Sequence, residues 1–288
     1  MELPDCVWDL FDAERCHQLR CWNVSAPEEL RFRIGRTCLV ISGGKQFVSR
    51  SGQVSAQEID RIVERAVKAS FYSHSEELRK GFLQVGSGVR LGVCGVVYGQ
   101  EGTIAGIRSV TSLSIRIPRE IEGCADAVIP ALTKDGLCST LIISPPGYGK
   151  TTLLRALIRR ISESGKRIAI ADERGELAAL SDRAFGFDLG PNTDVLTGGQ
   201  KSETALMLLR AMNPQVLAFD EITEPADIAM ITRIAGCGVA LIATAHGVDQ
   251  KHMKKRSLYR DLFDTGIFEK TVRILQRSGE REYIVESI

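Results

Sequence analysis

The spacing of apolar residues changes character near residues 120–135. Before that point, short alternations of apolar and polar residues predict β-strands around one helix. After it, continuous apolar runs alternate with helical patterns, and such runs are typical of strands buried on both faces of a parallel sheet. The sequence therefore predicts two domains, which we place at residues 1–125 and 126–288.

The first half has the pattern of a small α+β domain. Residues 30–41 alternate apolar and polar side chains, which predicts a hairpin that bends at Gly35. Ser55 and Glu58 have capping-box spacing, and the apolar residues that follow them share one helical stripe. Residues 82–117 consist of short β-prone segments separated by glycines, which predicts a twisted antiparallel sheet.

The second half alternates strands with helices. An apolar helical face follows residue 150, and a second helix is predicted over residues 201–212. Alternation of this kind indicates a doubly wound, mainly parallel sheet with right-handed crossovers, so the predicted fold class is α/β. The predicted strands cover residues 140–143, 167–171, 216–219 and 239–244.

Charge, cysteine spacing and apolar runs indicate which partners and which cellular compartment to expect. Lys and Arg number 37 against 36 Asp and Glu, so the overall charge gives no reason to expect a nucleic-acid partner. Eight scattered cysteines form no C-x-x-C pair, which indicates free thiols in a reducing cytosol. The acidic N-terminus lacks the apolar segment of a signal peptide, and the longest apolar run is too short to cross a bilayer. We expect a soluble, cytoplasmic protein.

The strongest motif lies between the strand at 140–143 and the helix after it. Residues 144–152 read Ser-Pro-Pro-Gly-Tyr-Gly-Lys-Thr-Thr and fit the P-loop pattern, except that Ser144 stands at its first glycine. We expect a slightly altered loop that still works; a chance glycine-rich turn is the alternative. Lys150 would reach the β and γ phosphate oxygens of ATP, and the Thr151 hydroxyl would bind Mg²⁺. The predicted ATP-binding residues are Gly147, Tyr148, Gly149, Lys150, Thr151 and Thr152.

Two carboxylates directly follow the apolar strand at 216–219. The carboxyl ends of parallel strands face the ligand crevice of an open α/β sheet. We therefore predict that Asp220 holds Mg²⁺ through water and that Glu221 polarises the attacking water. An exposed acidic turn is the alternative.

Two further polar groups follow strands at the same predicted edge. The acidic run 172–176, which includes Glu173, is expected to order water around the γ-phosphate; a salt-bridge cluster around Arg174 is the alternative. The strand at 239–244 ends in Thr-Ala-His-Gly at 244–247, where His246 is a candidate sensor of the γ-phosphate or of neighbour geometry, or else a structural histidine. The basic run 251–256 has almost no aromatic neighbours, which favours a solvated helix face over a nucleic-acid or headgroup site.

With these residues in view, the chain resembles the sporulation stage III AA family, a relative of the type II secretion and type IV pilus ATPases. The resemblance extends over roughly residues 30–244. It rests on the stretches LRFRIGR, EELRKGFLQV, GVRLGVCGVV and GIRSVTSLSIRIPREI, on the P-loop, and on Asp-Glu-Arg at 172–174. It also rests on LRAMNP at 209–214 and on Thr-Ala-His at 244–246, which looks like the histidine box of secretion ATPases.

The resemblance implies a RecA-like ATPase domain after a smaller α+β domain, with ATP and Mg²⁺ as cofactors. It further implies a homo-oligomeric ring, a hexamer, that energises a sporulation channel between mother cell and forespore. The protein would be cytoplasmic and peripheral, held on the mother-cell side by membrane channel proteins. By position, the resemblance assigns Lys150 and Thr151 to nucleotide and Mg²⁺, Glu221 to water activation and His246 to the histidine box. Together with the residue-based predictions above, the catalytic set is Glu221, Glu173 and His246, and Asp220 joins Thr151 as a Mg²⁺ residue.

Ring ATPases of this kind also use arginines from the N-terminal domain or from a neighbouring subunit. The candidates are Arg90, Arg108, Arg116 and Arg119, for each of which a surface salt bridge is the alternative. The sequence departs from the relatives in two places. Asp220 stands where they have a glycine before the catalytic glutamate, and their tetracysteine metal site is absent from the sequence.

Two other functions remain open at this point. One is a nucleic-acid-dependent RecA-like ATPase, against which the balanced charge argues. The other is a nucleotide-gated scaffold with negligible hydrolysis, which Ser144 keeps open and the set of Lys150, Thr151, Asp220 and Glu221 opposes.

Overall fold

A computed structural model of the chain describes residues 1–49, 52–67, 78–79, 81–86, 88–100, 103–118, 123–134, 136–180, 186–277 and 280–288. The chain forms two compact units. Unit 1 comprises residues 1–119 and 180–186, and unit 2 comprises residues 120–179 and 187–288. Each unit has its own sheet.

Unit 1 contains a six-stranded antiparallel sheet. Its strands are β1 (Glu29–Arg33), β2 (Leu39–Ser42), β3 (Lys45–Val48), β4 (Phe82–Gly86), β5 (Val89–Gln100) and β6 (Thr103–Arg116). Their order in the sheet is β3-β2-β1-β6-β5-β4. Alternate strand residues such as Leu30, Phe32 and Leu91 are fully buried against helix α3 (Ala56–Val67) and the elements before β1.

The predicted hairpin and helix of unit 1 are confirmed. Glu29 pairs with Ile41 across the hairpin, and Gly35 in its turn has a φ of 70°, a left-handed conformation that glycine adopts readily. The Ser55 hydroxyl accepts the backbone N–H of Glu58 at 3.1 Å, as an N-cap should.

Two short helices precede β1, where the sequence pattern predicted none. They are α1 (Asp5–Trp8) and α2 (Ala13–Arg20). Asp12 caps α2 by accepting the backbone N–H of Arg15 at 2.9 Å. Helix α2 buries Leu19 as its one large apolar side chain, so it lacks the periodic stripe by which a helix is recognised.

A buried ion pair joins α2 to α3. Arg15 donates from Nε to Glu58 Oε1 at 2.6 Å and from Nη2 to Oε2 at 3.0 Å. The side chains are only 8% and 13% exposed. Two parallel hydrogen bonds of this kind fix the relative orientation of the helices and satisfy both charges in a region that water hardly reaches.

Unit 2 contains a seven-stranded sheet. Its strands are β7 (Thr140–Ser144), β8 (Ile168–Asp172), β9 (Thr193–Thr197), β10 (Val216–Phe219), β11 (Ala240–His246), β12 (Lys270–Arg277) and β13 (Glu280–Ser287). The order is β13-β12-β7-β11-β10-β8-β9, with β13 antiparallel to β12 and all the other neighbours parallel.

Helices cover both faces of this sheet. They are α4 (Ile129–Thr133), α5 (Lys150–Glu163), α6 (Lys201–Met212), α7 (Pro225–Ala235), α8 (Gln250–Met253) and α9 (Ser257–Asp264). Ile142 of β7 packs in the cluster that contains the apolar face of α5, and its neighbour Leu141 packs in the cluster with α6, α7 and α9. The mainly parallel α/β sheet predicted for this half is confirmed.

The exposed basic run 251–256 lies on α8 and in the turn after it. Three strands of unit 2 were not predicted, namely β9, β12 and β13. Because they lie at or next to the edges of the sheet, they carry charged residues in place of a continuous apolar run. In the part of the chain that the structure describes, none of the helices has the length and apolar character needed to cross a membrane.

The Arg15–Glu58 pair generates a stability prediction. Glu58→Gln leaves the Arg15 charge buried without its anion, so the free energy of unfolding of unit 1 should fall by about 3 kcal/mol. Both tryptophans, Trp8 and Trp22, lie in unit 1, so urea unfolding followed by tryptophan fluorescence reports on this unit. Glu64→Gln, an exposed change on the same helix, is the control, and equal stability of the two variants would contradict the prediction.

Candidate nucleotide-binding site

The P-loop joins the central strand β7 to helix α5. Gly147 and Gly149 have φ values of 79° and 95°, so both bends use left-handed backbone that glycine adopts at no steric cost. Gly149 directly precedes Lys150, the first residue of α5. The free N–H groups of the first helical turn therefore face the loop, an arrangement that favours bound phosphate.

Ser144, the departure from the P-loop pattern, lies in the strand and outside the bend. It is the last residue of β7, fully buried and paired in register with His246 of β11. Its hydroxyl donates to the Pro145 carbonyl at 3.0 Å. A side chain is therefore accommodated here, because the left-handed conformations fall at the two glycines further along.

Lys150 is buried inside the loop that it follows, with only 7% of its surface exposed. Its ammonium donates to the carbonyl oxygens of Ser144 at 3.1 Å and Pro145 at 3.3 Å, and to His246 Nδ1 at 2.7 Å. Burial lowers the pKa of Lys150, and the charges of Glu221 and Asp220 oppose that shift. The cation is thus held by neutral acceptors, in the place where a phosphate would offer charged ones.

His246 connects this lysine to Glu221. Its Nε2 lies 2.9 Å from Glu221 Oε1. An ammonium has no lone pair, so Nδ1 must accept from Lys150, and the proton of a neutral imidazole is then on Nε2, where it is donated to the carboxylate. The three predicted residues therefore form one hydrogen-bonded chain from the P-loop to the end of β10.

Asp220 stands beside this chain and is positioned by the next strand. The Thr244 hydroxyl of β11 donates to Asp220 Oδ1 at 2.8 Å. Register explains the contact, because Phe219 pairs with Ala243 and the next residues of the two parallel strands are then neighbours. A carboxylate here and the hydroxyl of Thr151 in the first turn of α5 are hard oxygen donors of the kind that Mg²⁺ prefers alongside phosphate oxygens.

The acidic run after β8 divides into two parts. Asp172 is buried and accepts the backbone N–H groups of Glu176, Leu177 and Ala178, at 2.9–3.2 Å. Burial raises its pKa, although these bonds oppose the shift. The Asp172 carboxylate is used to hold the backbone of residues 176–178 in place. The prediction that the whole acidic run orders water is therefore wrong for Asp172.

Glu173 and Arg174 are exposed at the rim of the site. Glu173 Oε2 lies 4.0 Å from Lys201 Nζ, and Arg174 Nη1 lies 4.0 Å from Glu221 Oε2. Glu173 thus makes a long contact with the start of α6 and Arg174 with the residue after Asp220, and both side chains remain exposed. The role of Glu173 in ordering water stays a prediction.

The sequence did not predict a buried ion pair, Lys201–Asp227, that holds the backbone of Glu221 in place. Lys201 Nζ donates to the backbone carbonyl of Glu221 at 2.5 Å and to Asp227 Oδ1 at 3.2 Å. Asp227 Oδ2 accepts the N–H groups of Thr223 and Glu224 at 2.8 and 3.2 Å. In the structure α7 begins with a capping box between Glu224 and Asp227, and no sequence signal predicted this box or its link to Lys201.

The remaining predicted residues lie as follows. Tyr148 packs against the apolar cluster on the α5 face, and Thr152 is in the first turn of α5. Arg90, Arg108 and Arg116 are on β5 and β6 of unit 1, with Arg90 stacked 3.6 Å from the centre of the Phe82 ring. Arg119 lies outside the described residues. The assignment of these arginines to the site stays a prediction.

A glycine loop that joins an interior parallel strand to a helix, with two carboxylates directly after the nearby strand β10, is the arrangement of the P-loop NTPase fold. The fold of the chain is that of RecA-like ATPases with an N-terminal domain. The ATPase DotB of Legionella pneumophila is similar, with a TM-score of 0.59 at 14% identity over 90% of this chain and 76% of that one. The pilus retraction motor PilT with bound ADP gives 0.60 at 14% identity, over 100% of this chain and 83% of that one.

Sequence comparison places the chain more narrowly. The family model "Sporulation stage III, protein AA" matches residues 15–286, so the chain belongs to this family. Stage III sporulation protein AA of Bacillus subtilis (strain 168) is 34% identical over 259 residues, which is 88% of this chain and 83% of the relative. The resemblance drawn from the motifs is confirmed.

The buried support below Glu221 generates the second prediction. Lys201 and Asp227 are 7% and 2% exposed, so Asp227→Asn leaves a buried ammonium without its anion. We expect the free energy of unfolding of unit 2 to fall by about 3 kcal/mol, and amide hydrogens at 221–224 to exchange faster. Far-UV circular dichroism in urea and hydrogen exchange measure the two effects. Asp261→Asn, an exposed change in the same unit, is the control; exchange as slow as in that control would contradict the prediction.

Proposed function

We propose that this protein is a Mg²⁺-dependent ATPase that converts ATP and water to ADP and phosphate. The observation that carries the proposal is the chain Lys150–His246–Glu221, which joins the P-loop cation to a carboxylate at the edge of the sheet. A P-loop alone supports nucleotide binding. A carboxylate hydrogen-bonded into the same site supports hydrolysis, because it can orient and polarise an attacking water.

Binding of the triphosphate follows from the first turn of α5. The backbone N–H groups around Gly147–Thr151 and the Lys150 ammonium would hold the phosphates. Thr151 and, through water, Asp220 would hold Mg²⁺, which when bound neutralises charge on the β and γ phosphates. A phosphate oxygen is a stronger acceptor for the ammonium than the carbonyls of Ser144 and Pro145, so Lys150 would leave them for the nucleotide.

The same movement gives His246 its place in the mechanism. Once Lys150 turns to phosphate, His246 Nδ1 loses its donor, while Nε2–H remains directed at Glu221. Nδ1 is then free to accept from water at the γ-phosphate. In this proposal Glu221 holds the attacking water, and His246 positions Glu221 and responds to the phosphate.

We further propose that the ATPase works as a homo-oligomeric ring, a hexamer, that energises a sporulation channel from the cytoplasmic, mother-cell side through membrane channel proteins. Membership in a sporulation family supports this proposal, together with the likeness of fold to a pilus retraction motor. Arg90, Arg108 or Arg116 of one subunit would complete a neighbour's site. An arginine supplied in this way is worth about 10³–10⁵ in rate in other phosphoryl-transfer enzymes.

The third prediction concerns turnover. The rate of MgATP hydrolysis per subunit should rise with protein concentration, because assembly completes the site. Glu221→Gln should lower the rate by about 10² or more while ATP still binds, since the amide cannot polarise water but leaves the P-loop intact. Phosphate release and ATP titration measure the two properties. Glu203→Gln, exposed on α6, is the matched control and should hydrolyse normally.

Two results would replace this function with another. ATP binding without turnover at any concentration would indicate a nucleotide-gated scaffold. Turnover that requires single-stranded DNA or RNA would indicate a nucleic-acid-dependent ATPase.

A further inference from the structure

The hairpin of β12 and β13 extends beyond the end of the P-loop strand. β12 runs parallel to β7, and Arg273 lies opposite Ile143, the residue before the last one of β7. β12 then continues to Arg277, and β13 returns from Glu280. The end of the hairpin therefore stands beside the P-loop, at the edge of the sheet where the nucleotide site lies.

The guanidinium of Arg281 is in contact with the P-loop. Arg281 pairs in register with Gln276 and lies on the same face of the hairpin as Tyr283, which packs against the cluster that contains α5. A Cβ placed on Gly149 would lie 2.9 Å from Arg281 Cζ and 3.1 and 3.2 Å from its two terminal nitrogens. The cation is thus stacked directly on the glycine that precedes Lys150.

Arg281 differs from the other arginines of the hairpin in its ionic contacts. Arg277 is 3.3 Å from Glu282, and Arg273 is 3.2 Å from Glu286. Among the side chains that the structure describes, which leave out that of Glu280, no carboxylate lies within ion-pair distance of Arg281; its hydrogen-bonding neighbour is the Tyr283 hydroxyl, and its charge also acts on the Cys124 thiol. Burial raises the pKa of Tyr283, and the nearby Arg281 cation opposes that shift.

We propose that Arg281 is a nucleotide-binding residue that holds the phosphates of ATP and ADP at the P-loop, as a second cation beside Lys150. The proposal rests on the proposed function, in which the P-loop binds ATP. A guanidinium presents parallel N–H groups that match two phosphate oxygens, and this one is exposed, adjacent to the loop and not neutralised by a described carboxylate.

The order of strands decides which phosphates it contacts. β11, which ends at His246, and β10, which Glu221 follows, lie on one side of β7, whereas β12 and β13 lie on the other. The γ-phosphate belongs on the side of Glu221, where water attacks. Arg281 therefore contacts the α and β phosphates that ATP and ADP share, and the hairpin forms the wall of the site opposite the catalytic carboxylate.

The fourth prediction follows from this placement. Arg281→Gln should weaken the binding of MgATP, MgADP and inorganic triphosphate alike, raising each Kd about tenfold, since a charged hydrogen bond to phosphate is lost. Arg281→Lys keeps the charge without the parallel donors and should raise each Kd about threefold. Isothermal titration of the full chain measures the constants, and circular dichroism checks that each variant is folded.

Arg277→Gln is the matched control, because Arg277 lies on the opposite face of the same hairpin; its Kd values should stay within twofold of the natural protein. Unchanged Kd values in Arg281→Gln would overturn the inference and leave ATP binding standing. A raised Kd for ATP and ADP but not for triphosphate would overturn it in favour of a contact with the base. A raised Kd for ATP alone would overturn it in favour of a contact with the γ-phosphate. Failure of the natural protein to bind any of the three would overturn the proposed function as well.

Discussion

The candidate site depends on one buried cation. Lys150 is enclosed by its own P-loop, and among the described residues its direct acceptors are two carbonyl oxygens and an imidazole. Burial among neutral acceptors lowers its pKa, which means that the ammonium is less well solvated there than in water. An anion bound beside such a poorly solvated ammonium would stabilise it more than it would stabilise an ammonium in water. The left-handed bends at Gly147 and Gly149 create this site, because they turn the chain back over the lysine and direct backbone N–H groups at the same space.

The order of parallel strands places the other groups around that cation. β11 adjoins β7, so His246 lies opposite Ser144, and β10 adjoins β11, so Asp220 and Glu221 come next. The pair Lys201–Asp227 then fixes the backbone of the loop that carries Glu221. Thus the candidate catalytic residues stand at or just after the ends of strands, and the buried Lys201–Asp227 pair orders the short loop that follows β10. This arrangement suits catalysis, since groups held by rigid elements need little rearrangement when charge develops.

Much of unit 2 could be predicted from the sequence, because a strand buried on both faces needs an unbroken apolar run. The run 216–219 and the helix 201–212 have the predicted bounds in the structure. Local motifs also located Lys150, Glu221 and His246. Contacts between distant residues could not be predicted in this way: the bond from Lys201 to Asp227 spans 26 residues and follows only from the fold. Likewise the polar strands β12 and β13 have no apolar run, so the position of Arg281 against the P-loop had no sequence signal.

Under the proposed function, phosphate binding and the His246 contact would compete for the same Lys150 ammonium. Lys150 Nζ lies 2.7 Å from His246 Nδ1, and the imidazole passes the interaction on to Glu221. A phosphate that draws Lys150 away therefore removes a positive neighbour from the imidazole, and the bond from Nε2 to Glu221 remains. In the proposed mechanism that loss frees Nδ1 to accept a hydrogen bond from water when the γ-phosphate arrives, whereas an empty P-loop keeps Nδ1 engaged with Lys150. Under the proposed function, this exchange of partners links occupancy of the P-loop to the state of the catalytic carboxylate without any movement of the strands.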